Sequence, residues 1–244
     1  MGSLWIAGVD GCPGGWIAVF RDLFGGAPAR VSVVASFAHI LDAPEAPPVV
    51  AVDMPIGLPE LNCKGGRGPE LLVRPLLGGR QSSVFSIPAR RAVEAEDYRA
   101  ACAAALECSD PPRKVSKQAF HLFPKIREID ALLRTRPALR DRVFESHPEV
   151  AFWRMNGECA LAAPKKVRSR VHGEGIELRR SILRSAGMAE SLVAHPVPRG
   201  AALDDLIDAI AVSVVAERIH RGQARCFPDP PLRDGHGVPI AIWA

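Results

Sequence analysis

Aspartates stand at three places where the chain would hold them still. Asp10 ends the apolar run 4–9, just before the turn Gly11–Gly15, and Asp53 ends a second apolar run, 49–52. Either acid alone reads equally well as a turn cap, because Asp commonly precedes Gly in turns. Two buried strands that each deliver a carboxylate to the same end are a stronger sign of a shared site. A third run, Arg142–Ser146, carries Glu145, and His147-Pro-Glu149 follows it. Late in the chain, Asp204, Asp205 and Asp208 fall within one sector about 100° wide of a helix over 201–220. That sector continues with Val212 and Val215, and the opposite side carries Leu206, Ile207 and Ile210. Such a helix is apolar nearly all round and therefore internal. Carboxylates on it cost free energy unless they meet a cation.

Hard oxygen ligands suit Mg²⁺ or Mn²⁺. Phosphodiester hydrolysis uses two such ions about 3.5–4 Å apart, and several carboxylates are needed to hold that charge. Asp10 and Asp208 are the first ligands expected, and Glu145 is a further carboxylate or a group that orients water.

The elements that must position these acids are short strands and one long helix. Strands are expected near 4–9, 16–20, 31–36, 49–53 and 142–146. The first two form an antiparallel hairpin around a glycine-rich turn, and the later strands run parallel to the first. Val49–Asp53 is continuously apolar until its last residue, the pattern of a strand covered on both faces. Residues 54–140 form a helical insertion, with helices over 94–108 and 116–133 and a kink or break at Pro124. A further helix spans 174–186, and Pro239–Trp243 adds an edge strand. The whole chain, 1–244, is expected to be a single domain, because no flexible linker flanks the insertion.

Charge is segregated along the chain although the net charge is only +4. Residues 165–184 carry seven bases against two acids, whereas 201–217 carries four acids and no base. Basic surface around an acidic centre suits a metal-dependent enzyme acting on a polyanion. The residues expected to hold phosphate are Arg80, Arg90, Lys165, Lys166, Arg179 and Arg180. Six cysteines are scattered without a CxxC pair, so they read as reduced thiols of a cytoplasmic protein. No apolar run approaches the ~18–20 residues that span a bilayer. The partner expected is therefore nucleic acid, DNA or RNA, with no membrane and with homodimerisation left open.

Six motifs extend this reading: GVDGCPGGW at 8–16, VDMPIGLP at 52–59, SSVFSIPAR at 82–90, KQAFHLFPKIREID at 117–130, FESHPEVAF at 144–152 and DDLIDAIA at 204–211. In order and spacing they resemble a bacterial and archaeal family of predicted ribonuclease-H-like nucleases, long catalogued as a domain of unknown function. The segment 205–211 is also similar to the final helix of RuvC-type resolvases. The resemblance implies an α/β, ribonuclease-H-like mixed five-stranded sheet flanked by helices, with the insertion between the fourth and fifth strands. It puts Asp10, Asp53, Asp205 and Asp208 on the catalytic, metal-binding positions. RuvC enzymes have Glu where this chain has Asp53. Two rivals remain. One is an actin/hexokinase-like phosphotransferase, which resembles two copies of a similar fold. The other is a nuclease-like domain that only binds nucleic acid, against which the four acids and the single Tyr argue.

Overall fold

The computed structural model describes residues 3–167 and 170–244. Its central sheet has five strands: β1 (Trp5–Cys12), β2 (Gly15–Asp22), β3 (Arg30–Val34), β4 (Val49–Asp53) and β5 (Val143–Glu145). Their spatial order is β3-β2-β1-β4-β5. The hairpin of β1 and β2 is antiparallel, and β4 runs parallel to β1 and β5 parallel to β4. This is the mixed α/β, ribonuclease-H-like arrangement expected from the sequence.

One boundary differs in a way that matters. The ladder of β1 and β2 continues to Cys12 opposite Gly15, where Gly15 takes φ 117° and so lets the hairpin close tightly. Asp10 thus sits inside a paired strand, opposite Ile17 on one side and Asp53 on the other.

The helices that frame the site are α1 (Tyr98–Glu107), α2 (Lys117–Thr135), α3 (Pro148–Met155), α4 (Gly173–Ser185) and α5 (Leu203–His220). α1 starts later than expected because Asp97 caps it, its carboxylate accepting the Ala100 N–H at 2.8 Å. α2 is capped by Ser116 and runs unbroken through Pro124. Its buried stripe of Ala119, Phe123, Ile126, Ile129 and Leu133 packs in the core on one face of the sheet with Ala7, Val9 and Val52. That burial outweighs the backbone hydrogen bond lost at proline.

The other face of the sheet, with Ile6, Val49 and Ala51, is covered by α5. The closest approach falls at Gly8, where a Cβ would stand 2.2 Å from Ser213 N and 2.3 Å from Ala209 O. Helix backbone therefore rests directly on strand backbone. Gly8→Ala is expected to force the two apart and destabilise the protein by at least about 1–3 kcal/mol, as overpacking does. Urea denaturation measures this, and an unchanged midpoint would mean that the helix does not rest there.

The last strand departs from expectation. β7 (Pro239–Trp243) pairs with β6 (Cys226–Arg233) in a separate ribbon. It meets the main sheet at a bridge between Ser146 and Trp243 and at an edge-to-face contact between the Phe144 and Trp243 rings, 5.3 Å apart. Among the described residues no helix is long and apolar enough to cross a membrane, and all six cysteines are unpaired. The basic loop expected over 165–170 lies partly outside the described residues.

Candidate metal centre

Strand parity brings the first two acids together. Side chains alternate between the faces of a strand, so Asp10 shares a face with Ile6 and Gly8, and Asp53 shares one with Val49 and Ala51. Both faces are the one under α5, and the two aspartates are direct partners in the parallel ladder. The seat of α5 on Gly8 then carries Asp208 to the same point. One carboxylate oxygen from each of Asp10, Asp53 and Asp208 lies within 4.8 Å of the others.

Burial and neighbouring negative charge raise the pKa of all three carboxylates. Asp10 is pushed well above the ordinary carboxylate value, first by burial and then by Asp53 and Asp208. Burial likewise pushes Asp53 up to about 7 and Asp208 up to about 6. Among the described residues, Lys165 answers them. The Lys165 ammonium donates to Asp208; burial pulls its pKa down, but Asp208, Asp10 and Asp53 outweigh that and raise it. Beside it, Lys166 Nζ lies 2.5 Å from Asp204 Oδ2.

A divalent cation fits these residues. Among the described residues, Asp208 Oδ1, Asp204 Oδ1 and Glu149 Oε2 are buried without a protein partner, and unsatisfied buried acceptors are costly. All the candidate donors are hard oxygens, as Mg²⁺ and Mn²⁺ prefer. When all three are ionised they carry more negative charge than the Lys165 ammonium balances, and a divalent ion would supply the rest.

The other expected site residues are placed differently. Asp205 is near, and its charge helps raise Asp10 and Asp53. However, its Oδ2 accepts the Ala202 N–H at 2.8 Å and so caps α5. Glu145 does not join the acids. It is the ladder partner of Val52, so parity turns it to the opposite face of the sheet. There it takes both ends of the Arg67 guanidinium, at 2.6 and 3.0 Å, and the Ile56 N–H at 2.7 Å. With Glu70 on the same Arg67 at 2.8 Å, it braces the base of the insertion instead of holding a metal.

Two expected phosphate ligands are corrected as well. Arg90 is buried, with Asp130 at 2.5 and 3.0 Å and Asp234 at 2.7 Å. Arg179 is fully buried and donates to Glu149 at 2.5 Å. Neither guanidinium reaches a substrate surface. Arg180 pairs with Glu177 at 2.7 Å, and Arg80 is half-buried on the insertion. Lys165 and Lys166 do border the acids, although as their counter-ions.

Glu149 and Asp204 are the acids that the expected site set passed over. Glu149 follows Pro148 in the first turn of α3, where a carboxylate is favoured. Its charge raises both Asp53 and Asp208. The signal was visible in His147-Pro-Glu149, as a helix start.

The shifts set a pH dependence. Asp53 titrates at about 7 in the fold and near 4 when unfolded. Between these values the folded chain holds more protons, so metal-free stability falls as pH rises across that window. Thermal melting from pH 4.5 to 8 in chelator is expected to show the decline. Excess Mn²⁺ is expected to offset it most at the alkaline end, and a metal-free Tm that rose towards pH 8 would contradict it.

A ribonuclease-H-like sheet with carboxylates gathered on adjacent parallel strands and on the helix across them defines a class of α/β protein. Within that class, the chain belongs to the family described as "Protein of unknown function (DUF429)", whose model matches residues 8–233. No curated protein and no solved structure matches it.

Proposed function

We propose that the chain is a Mg²⁺- or Mn²⁺-dependent nuclease that hydrolyses phosphodiester bonds of DNA or RNA in the cytoplasm. The observation that carries this reading is the meeting of Asp10, Asp53 and Asp208 oxygens within 4.8 Å. Asp10 and Asp53 are fixed by the ladder, and Asp10 Oδ1 is held further by the Gly11 N–H at 2.6 Å. Such rigid placement is what a catalytic centre needs. Divalent metal bound there would lower the pKa of an attacking water and neutralise charge on the phosphate. Asp205 supports the centre from the helix cap. Lys165 and Lys166 face the same space and would take phosphate oxygens once metal claims the carboxylates. The phosphotransferase reading is less favoured, because the described residues contain one such sheet and no second copy across a nucleotide cleft.

The test is a panel of single-stranded, duplex, hybrid and four-way-junction substrates with Mg²⁺ or Mn²⁺. At least one is expected to be cut, with cleavage lost in chelator and binding that weakens steeply with salt. Binding without cleavage at any metal concentration would favour the binding-module reading. Phosphate transfer from ATP would favour the phosphotransferase.

A further inference from the structure

A recess of about 170 Å³ opens directly beside the acids, with Asp10 and Asp53 in its lining. Its walls are Met54 and Pro55 after β4, Phe85 and Ile87 from the insertion, Leu122 on α2 and Ile242 on β7. Phe85 lines the recess and is 37% exposed. A cavity of about 150 Å³ holds one benzene ring, so this volume admits a single ring system and nothing like a stacked pair. Apart from the two aspartates, the polar side chains of the lining are already engaged, Lys125 donating to Gly15 O and Ser83 Oγ to Arg80 O. Arg67, Glu70 and Glu145 bond one another, Ser146 Oγ donates to Trp243 O at 2.9 Å, and His147 contacts Ser83 O and the Glu149 N–H. The recess therefore selects by size and flatness, with few groups left to read the edge of a ring.

A phosphate at the three carboxylates and a flat ring in the adjoining recess are the two ends of one nucleotide. We propose that this recess receives a single unpaired nucleobase of the strand whose phosphate lies at the acids, a reading that rests on the nuclease proposal above. A base inside a duplex cannot enter without leaving its stack, and the cost of extrusion is least where the base is already unpaired. The substrate class is thus nucleic acid with an unpaired or terminal nucleotide next to the scissile phosphate, and base identity matters little.

The test uses duplexes with 2-aminopurine either paired or as a single unpaired nucleotide, mixed with the full chain carrying Asp10→Asn so that they stay uncut. The unpaired probe is expected to change fluorescence on binding and to bind roughly tenfold tighter than the paired duplex, as one base–aromatic stack allows. Added to that chain, Phe85→Ala and Leu122→Trp, one removing a wall and one filling the space, are expected to abolish both effects. In the chain with Asp10 intact, the same two variants are expected to keep the Mn²⁺-dependent shift in Tm, which shows that fold and metal centre survive. Equal binding of the two duplexes with no fluorescence change, from a protein that still cuts nucleic acid with Asp10 intact, would overturn the recess inference and leave the nuclease reading standing. If the intact chain cuts nothing on the substrate panel, the nuclease reading falls and takes this inference with it.

Discussion

Asp10→Asn is expected to abolish cleavage while leaving nucleic-acid binding intact or tighter. The substitution keeps the shape of the side chain and an oxygen for the Gly11 N–H, so the fold has no reason to change. What it removes is one of three carboxylates that meet within 4.8 Å. Loss of an outer-shell partner of a metal ligand costs about 10–100-fold, and loss of a ligand itself is expected to exceed that, at about 10³-fold or more. The stability effects carry opposite signs in the two states. Without metal, the variant removes the buried carboxylate whose charge burial, Asp53 and Asp208 oppose, and it is expected to be more stable than wild type at pH 8. With metal, it loses most of the stabilisation that mass action gives the wild type. Melting curves in chelator and in millimolar Mn²⁺, read beside the cleavage assay, check all three effects. A variant that cuts as well as wild type would remove the basis for the catalytic role.

Lys165→Met is expected to tighten Mn²⁺ binding roughly tenfold to a hundredfold. In the metal-free protein the Lys165 ammonium lies on Asp208, within the field of Asp10 and Asp53, where a divalent ion would have to bind. Two unit charges 4 Å apart interact by about 4 kcal/mol at an effective dielectric constant near 20. Part of that must be given up when metal displaces the ammonium, and Met removes the competition while keeping the length of the side chain. The same change is expected to lower metal-free stability, because buried Asp208 loses the cation bonded to it. Titration calorimetry with Mn²⁺ reads the affinity. Weaker metal binding in the variant would mean that Lys165 supports the bound ion instead of competing with it.

Much of the fold was legible because its signals are local. The continuous apolar run of Val49–Val52 marked a strand covered on both faces, and the turn Gly11–Gly15 marked a hairpin. The all-round apolar sequence of α5 marked an internal helix. Asp10, Asp53 and Asp208 followed from those three elements. What the sequence left hidden depends on relations between elements. Glu145 looked like a third strand-end acid, yet its register opposite Val52 turns it away from the site, and register is set by strand pairing that no single strand encodes. Arg90 and Arg179 looked like surface cations because arginine is usually exposed. Their burial depends on Asp130, Asp234 and Glu149 arriving from distant segments. Gly8 carried no signal beyond being a glycine in a strand, although it decides how closely α5 can lie.

The most direct measurement is anomalous diffraction from a crystal of the wild-type protein soaked in Mn²⁺ at about pH 8, above the values to which Asp53 and Asp208 are pushed. The expected result is manganese bonded to oxygens of Asp10, Asp53 and Asp208, with Lys165 withdrawn from Asp208. A map with no manganese among these carboxylates at millimolar concentration, and Lys165 still seated on Asp208, would contradict the metal centre and the nuclease reading built on it.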